Sequence, residues 1–405
     1  MTNPYAPYLQ WIDTQYQAMV ELLLNWSAIN SGSHHLAGLN HMRQALITTF
    51  GTLGGTLEEI TLEPMPMVDS SGELVEIPLG KALRISKRPQ ARHQVLLGGH
   101  MDTVFAADHP FQKTTWRDAN TLNGPGVADL KGGLVIMLKA LEALERSPYA
   151  AAIGWEVLIN PDEEIGSPGS APLLAASAQR HQFGLIFEPA LADGTLAGAR
   201  KGSGNFTAVV HGRAAHAGRE HPLGRNAIVA LAEFIGAIAA LTGQQPGITV
   251  NPGKIEGGGP VNIVPELAIC RFNIRVATTE EQAWVEQRLG AICQDIDSRE
   301  GISLTLHGGF GRPPKVLDAR TVNLFRMIAA CGAELGIPIQ WRATGGCCDG
   351  NNLAAAGLPN VDTLGVRGGH IHSSDEFVLL DSLTERARLT ALLLMKLGSG
   401  ELAWP

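Results

Sequence analysis

The stretch VLLGGHMDTV, residues 95–104, decides the fold assignment. Residues 95–97 form a short apolar run of the kind that makes a buried strand, and His100 and Asp102 follow it directly. In an open α/β sheet, the loops after the carboxyl ends of the strands form the ligand crevice. The stretch therefore predicts a buried strand that delivers an imidazole and a carboxylate to such a crevice.

The same arrangement recurs elsewhere in the chain. Predicted strands at 155–159, 184–187 and 361–364 are each followed by acidic or imidazole side chains, and the glycine-rich 123–126 precedes another carboxylate. The side chains concerned are Asp129, Asp162, Glu163, Glu164, Glu188 and His372. Because the carboxyl ends of parallel strands meet at one edge of a sheet, we expect these groups to lie close together.

The order of the predicted elements indicates two kinds of domain. Apolar strands alternate with helical patterns in the first and last parts of the chain, which is typical of an α/β fold with a mainly parallel sheet flanked by helices. Residues 201–313 instead follow the order β-α-β-β-α-β of a ferredoxin-like α+β unit. We predict a catalytic domain made of residues 1–200 and 314–405, with residues 201–313 inserted as a ferredoxin-like domain.

Composition excludes several classes of protein. Of the 405 residues, 45% are hydrophobic and 17% charged, so a large core is expected and disorder is not. The formal net charge of -8 argues against a nucleic-acid partner. The sequence has no secretory signal pattern and no apolar run long enough for a membrane span, so we predict a cytoplasmic protein without a membrane partner.

Electrostatics favours a metal centre at the predicted sheet edge. Several carboxylates crowded into one crevice repel one another, and without a cation some of them would take up protons. Two divalent ions remove this repulsion. Imidazole nitrogens combined with carboxylate oxygens suit Zn²⁺, with Co²⁺ or Mn²⁺ as possible substitutes.

Each acidic or histidine residue also has an ordinary structural interpretation. Asp129 suits the N-cap of a helix at 130–144, while Glu163 and Glu164 suit a solvated loop. His372 suits an exposed surface position. The adjacent Cys347 and Cys348 are interpreted as small buried residues rather than as a metal pair, since neighbouring residues rarely bind one ion together. The metal hypothesis depends on all the candidates falling at strand ends of one unit.

These segments together resemble the zinc exopeptidase family that contains glutamate carboxypeptidase, acetylornithine deacetylase and succinyl-diaminopimelate desuccinylase. The matching stretches are GHMDTV (99–104), GPGVADLKGG (124–133), DEEIGS (162–167), EP (188–189) and HSSDE (372–376). The resemblance covers essentially the whole chain and is closest to the glutamate carboxypeptidase branch. It implies two bound Zn²⁺ ions and a homodimer formed through the inserted domain.

The resemblance also implies a role for each site residue. Asp129 would bridge the two ions, with His100 and Glu188 on one ion and Glu164 and His372 on the other. His372 is preferred to the nearby His370, because only His372 fits the family pattern His-Ser-X-X-Glu. Asp102 would orient the ring of His100, and Glu163 would be the general base for a metal-activated water. The peptide bond after Asp129 would be cis.

Substrate recognition is implied for residues of the inserted domain and of a later loop. His216 would reach across the dimer to the active site, and Asn262 would contact the substrate. Arg275 and Arg312 are the candidates for binding a substrate carboxylate, since guanidinium forks pair with carboxylates in a bidentate manner. The backbone at Gly346 would assist them. The loop here reads GGCCD (345–349), whereas relatives usually carry small residues before the Asp.

Three functions remain possible on the sequence. The first is a metallopeptidase of the carboxypeptidase type, which cleaves the amide bond next to a free carboxylate. The second is an N-acyl amino-acid deacylase, which performs the same chemistry on a shorter acyl group. The third is a catalytically inactive dimeric binding protein.

Overall fold

The buried apolar runs of the sequence become a central sheet in the computed structural model, which describes residues 3–405. In chain order the strands are β1 (Thr56–Ile60), β2 (Met65–Val68), β3 (Leu74–Ile77), β4 (Ala82–Lys87), β5 (His93–His100), β6 (Thr115–Trp116), β7 (Thr121–Asn123), β8 (Ile153–Asn160), β9 (Phe183–Ile186), β10 (Ala190–Leu191), β11 (Leu196–Arg200), β12 (Gly202–His211), β13 (Thr249–Gly257), β14 (Leu267–Val276), β15 (Ser303–Arg312), β16 (Trp341–Thr344), β17 (Asn360–Val361), β18 (Arg367–Gly369) and β19 (Phe377–Leu379).

Helices cover the sheets and connect them. In chain order they are α1 (Ala6–Thr14), α2 (Tyr16–Ser27), α3 (Leu36–Phe50), α4 (Gly132–Arg146), α5 (Ala171–Ala178), α6 (Ala227–Ala239), α7 (Thr279–Asp297), α8 (Ala319–Glu334), α9 (Asp349–Ala355) and α10 (Asp381–Ser399). Among the helices of residues 3–405, none is both long and apolar enough to cross a membrane.

The central sheet has six strands in the order β1-β4-β8-β5-β9-β17. Strands β8, β5, β9 and β17 run parallel, while β1, β4 and β8 pair antiparallel. The sheet is therefore mixed. Its parallel half contains the strands at whose carboxyl ends the sequence predicts the ligand crevice. Every residue of β8 is buried. Helix α4, almost wholly buried, packs against α10 on this domain's main apolar core.

A second sheet is built by the middle of the chain. Its four antiparallel strands lie in the order β13-β14-β12-β15, and the chain order is β12-α6-β13-β14-α7-β15. This is the predicted ferredoxin-like unit. It has an apolar core of its own, formed by one sheet face and by α6 and α7. We propose that this unit is a separate domain, with the boundaries at 201 and 313 that the sequence predicts.

A β-hairpin of β2 and β3, which the sequence analysis did not identify, links the two sheets. It leaves the six-stranded sheet between β1 and β4 and rests on the face of the four-stranded sheet opposite the helices. Val68 packs there against Val209 and Ile269. The Arg271 Nη2 atom donates to the Val68 carbonyl oxygen at 2.7 Å. The hairpin is thus a non-covalent connection between the two units.

Candidate metal centre

Parallel pairing of β8, β5 and β9 brings three loops to one sheet edge. His100 is the last residue of β5, Glu163 and Glu164 follow β8, and Glu188 follows β9. The His100 Nε2 atom lies 3.1 Å from Asp129 Oδ1 and 3.8 Å from Glu188 Oε1. The sheet edge therefore brings together the side chains that the sequence marked.

The second half of the cluster surrounds the other oxygen of Asp129. The His372 Nε2 atom lies 3.3 Å from Asp129 Oδ2 and 3.1 Å from Glu164 Oε2. One carboxylate thus stands between two imidazoles, each of which has a glutamate beside it. His370 lies outside this group and packs its ring near Phe377.

Asp129 lies in a non-helical segment ahead of α4, not at the N-cap of that helix. Its φ and ψ angles are −113° and 92°, and α4 begins at Gly132. The Asp129–Leu130 peptide bond is cis, as the resemblance implies. The capping alternative considered for Asp129 is therefore wrong, and its carboxylate faces the two imidazoles instead.

Glu376 holds the loop that carries Asp129. Its carboxylate accepts hydrogen bonds from three backbone N–H groups, those of Gly126 at 3.1 Å, Ala128 at 2.9 Å and Asp129 at 3.0 Å. Burial raises the pKa of Glu376 to about 7, and the charge of Asp129 acts in the same direction. The sequence signal for this residue was its place in HSSDE, which was used only to select His372.

Asp102 supports both His100 and the loop after β8. The His100 Nδ1 atom lies 3.3 Å from Asp102 Oδ1 and 2.9 Å from the Asp102 carbonyl oxygen. The same carboxylate accepts from the backbone N–H groups of Glu163 and Glu164 at 3.2 and 3.1 Å. A contact at Nδ1 leaves Nε2 of the ring directed at Asp129 and Glu188.

The buried carboxylates are held in an environment that disfavours their charge. Burial raises the pKa of Glu163 to about 7 and of Glu164 to about 8, and that of Glu188 rises well above its ordinary value. For Glu164 and Glu188 the next cause is the negative charge of Asp129. These are the conditions that a bound cation would relieve.

The donor set fits divalent metal ions. The buried Glu188 Oε1 atom has no hydrogen-bond donor. Two overlapping groups of donors have their atoms within 4.8 Å of one another: His100, Glu163 and Glu188, and His100, Asp129 and Glu164. The first group includes Glu163, but its Oε1 atom already pairs with Arg312 Nη2 at 2.7 Å. We therefore give more weight to the arrangement around the two oxygens of Asp129.

A cavity of about 1330 Å³ opens over the cluster. Among its lining residues are several that the sequence analysis named: Asp129, Glu163, Glu164, Glu188, Arg275, Arg312, Gly346 and His372. The wall is formed by residues of the four-stranded unit and by residues of the unit that contains the six-stranded sheet, called the catalytic unit below. The base of the hairpin, at Met65 and Pro66, also lines it.

The two candidate arginines differ in their surroundings. Arg312 is buried, and its Nη2 atom also donates to the Glu163 carbonyl oxygen at 2.6 Å. Arg275 lines the cavity, with Nη1 donating to Cys347 Sγ at 3.0 Å. Cys348 is buried, and its Sγ accepts from the Gly350 N–H at the start of α9. The interpretation of the cysteine pair as small buried residues thus holds for Cys348 but not for Cys347.

His216 and Asn262 do not line this cavity. Both are exposed on the four-stranded unit. They are close to one another, because the Ala217 N–H donates to the Asn262 carbonyl oxygen at 2.9 Å and His216 forms a β-bridge with Ile263. Within a single chain they therefore remain apart from the carboxylate cluster.

Comparison with known proteins identifies the family. The family described as peptidase family M20/M25/M40 matches residues 96–396. The chain belongs to this family. As a member of this family, the protein is a metal-dependent hydrolase of the metallopeptidase class. Membership and the complete donor cluster both argue against an inactive binding protein.

Two curated relatives of this M20/M25/M40 enzyme have different activities in their names. Carboxypeptidase G2 of Pseudomonas sp. (strain RS-16) is 29% identical over 323 residues, covering 76% of this chain and 74% of that protein. Succinyl-diaminopimelate desuccinylase of Bordetella petrii is 27% identical over 317 residues, covering 74% and 81%. The chain is therefore similar to both a carboxypeptidase and a desuccinylase.

A solved structure shares the fold of this M20/M25/M40 enzyme. The M20 family metallo-carboxypeptidase Sso-CP2 from Sulfolobus solfataricus superposes with a TM-score of 0.71 at 17% identity, covering 93% of this chain and 98% of that one. At this identity the likeness shows the fold alone.

Proposed function

We propose that the enzyme cleaves the amide bond next to a free carboxylate, as a carboxypeptidase does. The observation that carries this proposal is the position of Arg275, whose guanidinium lines the same cavity as the carboxylate cluster. A guanidinium is the side chain best suited to a substrate carboxylate. Arg312 already has Glu163 as its partner, so Arg275 is the stronger of the two candidates.

We propose two Zn²⁺ ions as the resident metals, with Co²⁺ or Mn²⁺ as substitutes. His100 and Glu188 would hold one ion, Glu164 and His372 the other, and Asp129 both. When bound, the metals would supply Lewis-acid activation of water and of the scissile carbonyl group. Asp102 would keep the ring of His100 in the orientation needed for binding.

Glu163 is the proposed general base. Glu163 lines the cavity beside the proposed ligands without being one of them, so its carboxylate is available to take a proton and return it. Arg312 fixes the carboxylate by pairing with its Oε1 atom at 2.7 Å. Asp349 also faces this arginine, with Oδ1 3.7 Å from Arg312 Nη2. Glu163 would accept a proton from the attacking water and then pass it to the leaving amine.

Deacylation of an N-acyl amino acid is the second candidate. The desuccinylase of Bordetella petrii supports it, because a desuccinylase removes an acyl group from an amine. The carboxylate-binding role of Arg275 fits both reactions. The distinction depends on the acyl part of the substrate, which lies on the far side of the scissile bond.

We also propose a homodimer formed through the four-stranded unit. Large apolar side chains are exposed there on α6, on the edge strand β13 and on the following loop: Ile228, Val229, Ile255, Val261 and Ile263. A concentration of exposed apolar groups is typical of an interaction surface. His216 and Asn262 adjoin this surface, so a dimer offers them a route to the cavity of the other subunit.

A hydrolysis screen tests the proposed function. Dipeptides, acyl-glutamates and N-acetyl amino acids are assayed with and without added zinc, each beside a derivative whose free carboxylate is replaced by a carboxamide. We expect zinc-stimulated hydrolysis of the acids and little hydrolysis of the amides. Equal rates for an acid and its amide would contradict the carboxylate requirement, and the preferred acyl group would separate a peptidase from a deacylase.

A further inference from the structure

Arg275 is held by two neutral neighbours rather than by a carboxylate. Its Nε atom donates to Asn273 Oδ1 at 2.9 Å, and its Nη1 atom donates to Cys347 Sγ at 3.0 Å. Two other arginines of the cavity wall are already engaged in ion pairs, Arg312 with Glu163 and Arg200 with Asp362. Within residues 3–405, no carboxylate pairs with Arg275. Its charge is therefore available to a ligand.

Asn273 is itself fixed by the strand next to it. The register of β12 and β14 pairs Asn273 with Asn205 and Arg275 with Ser203. The Asn273 Nδ2 group donates to Asn205 Oδ1 at 2.7 Å, and to Ser203 Oγ and the Gly204 carbonyl oxygen, both at 3.0 Å. These acceptors determine the amide orientation, because the flipped amide would turn its N–H groups toward Arg275.

Cys347 contacts the guanidinium of Arg275 at the Nη1 atom. A thiol sulfur is a weak acceptor, whereas a carboxylate carries a negative charge and can accept two parallel hydrogen bonds from a guanidinium. Arg312 also approaches this residue, with Nη1 3.9 Å from Cys347 Sγ and 3.3 Å from its carbonyl oxygen. A carboxylate that enters the cavity would therefore replace the sulfur as the partner of Arg275.

We propose that Asn273 is the positioning residue that aims Arg275 into the cavity, and that the Cys347 thiol occupies the place taken by the substrate carboxylate. This inference rests on the proposed function, since it assumes that a carboxylate binds at Arg275. It makes Cys347 a specificity-determining residue, because a carboxylate that binds at the Nη1 atom of Arg275 displaces the thiol.

Alkylation of Cys347 by iodoacetamide gives a direct test. The zinc-supplemented enzyme is labelled alone, with a mixture of L-glutamate, L-leucine and L-lysine, and with the matching mixture of their α-amides. The three side chains cover acidic, apolar and basic leaving groups. Peptide mass spectrometry follows Cys347, with the half-buried Cys293 on α7 as the internal reference. Cys270, Cys331 and Cys348 are buried.

We expect saturating acids to slow the labelling of Cys347 by about five-fold or more. The amides should not slow it, and the labelling rate of Cys293 should be the same in all three samples. The Asn273→Ala variant should lose this protection. Asn273→Asp should also weaken it, because a carboxylate beside the Arg275 Nε atom would neutralise the charge that is otherwise available to a ligand. The inference would be overturned if acids and amides changed the labelling rate of Cys347 equally in the wild type. It would also be overturned if the acids protected Cys347 fully in Asn273→Ala.

Arg275→Ala separates this inference from the proposed function. If the acids protect Cys347 in the wild type and also in Arg275→Ala, the carboxylate does not bind at Arg275, and both proposals fail. If protection requires Arg275 but is unchanged in Asn273→Ala, the carboxylate site stands and only the positioning role of Asn273 is lost. Circular dichroism of each variant checks that the fold is retained.

Discussion

At the scale of single residues, Glu163 is the position where charge, burial and contact point to one role. We predict that Glu163→Gln lowers kcat by about 10²- to 10⁴-fold, because the amide cannot accept the proton of the attacking water. Metal content should stay near the wild-type value, since the proposed ligands are other residues. Kinetics and elemental analysis of the same preparation measure both quantities.

Glu164→Gln is the matched control for this substitution. Its carboxylate lies 3.1 Å from the His372 Nε2 atom and is a proposed ligand, so this variant should lose metal along with activity. If Glu163→Gln lost metal as readily as Glu164→Gln, Glu163 would be a ligand rather than the base.

The residues of the carboxylate and histidine cluster were predictable because each lies in a short stretch of sequence that identifies it. His100, Glu163, Glu164 and Glu188 each come soon after a predicted strand, and the parallel order of the strands brings these loops together. Asp129 instead follows the glycine-rich residues 123–126. The role of Arg312 could not be predicted in this way. Its contact with Glu163 joins residues 149 positions apart, and it depends on how the four-stranded unit packs over the cavity. Periodicity within one element contains no information about such packing.

At the scale of elements, the hairpin β2–β3 connects the two units and lines the cavity with Met65 and Pro66. We predict that Arg271→Ala raises KM by about three- to ten-fold with little change in kcat, because the hairpin loses its hydrogen bond at Val68 and this wall of the cavity loosens. Hydrogen exchange at residues 65–77 should increase in the same variant.

Lys254→Ala provides the comparison for Arg271→Ala. Lys254 carries the same charge on the same sheet and pairs with Glu256 at 2.9 Å, as Arg271 also pairs with Glu256. Since Lys254 donates no hydrogen bond to the hairpin backbone, its replacement should leave KM and hydrogen exchange near wild type. A similar rise of KM in both variants would assign the effect to charge and not to the hairpin.

Glu145 joins three elements of the catalytic unit. It lies on α4, pairs with Lys87 at the end of β4 at 2.6 Å and with Arg88, and accepts from the Trp155 Nε1 atom of β8 at 2.9 Å. Burial alone would raise its pKa, but the hydrogen bonds from Arg88, Lys87 and Trp155 lower the pKa of Glu145 from 4.5 to about 2. The stabilisation is therefore present above pH 4.5 and is lost as the pH falls toward about 2.

We predict that Glu145→Gln lowers the free energy of unfolding by about 2 kcal/mol near neutral pH, and that the difference from wild type shrinks as the pH falls through this range. Denaturant unfolding followed by tryptophan fluorescence measures it. Glu142→Gln is the control, since it removes the same charge from the same helix and breaks only a pair with Lys139. If the difference in unfolding free energy between Glu145→Gln and the wild type stayed constant down to about pH 2, Glu145 would not be the source of the stabilisation.

The elements that the sequence predicted well are long and strongly periodic. The sequence predicts helices at 279–296 and 383–397, and α7 and α10 lie within two residues of these bounds. It predicts strands at 248–255 and 268–276, and β13 and β14 agree equally well. Strands such as β10 and β18, with two and three residues, are too short to show a period of two. The hairpin was missed for a different reason: each of its strands has only four residues, and β2 contains Pro66, a residue that strands disfavour.

At the scale of the whole molecule, the distance of His216 from the cavity is the strongest argument for a dimer in the mechanism. His216 is exposed beside the apolar surface of the four-stranded unit, although the resemblance implies that it serves the active site. Its Nδ1 atom accepts from the Gly218 and Arg219 N–H groups at 3.1 and 3.2 Å, so Nε2 is left free to face outward. A dimer would reconcile these facts by placing His216 of the partner subunit over each cavity.

Mixing two inactive variants tests this arrangement. Glu163→Gln and His216→Ala should each have little activity alone, because one lacks the base and the other lacks the imidazole contributed across the dimer. In a mixed dimer, the subunit that retains Glu163 faces a partner that retains His216, so one of its two sites is complete. Random exchange of equal amounts should therefore restore about a quarter of wild-type activity. Light scattering verifies the dimer. Failure to regain activity despite proven subunit exchange would mean that His216 acts within its own subunit or not at all.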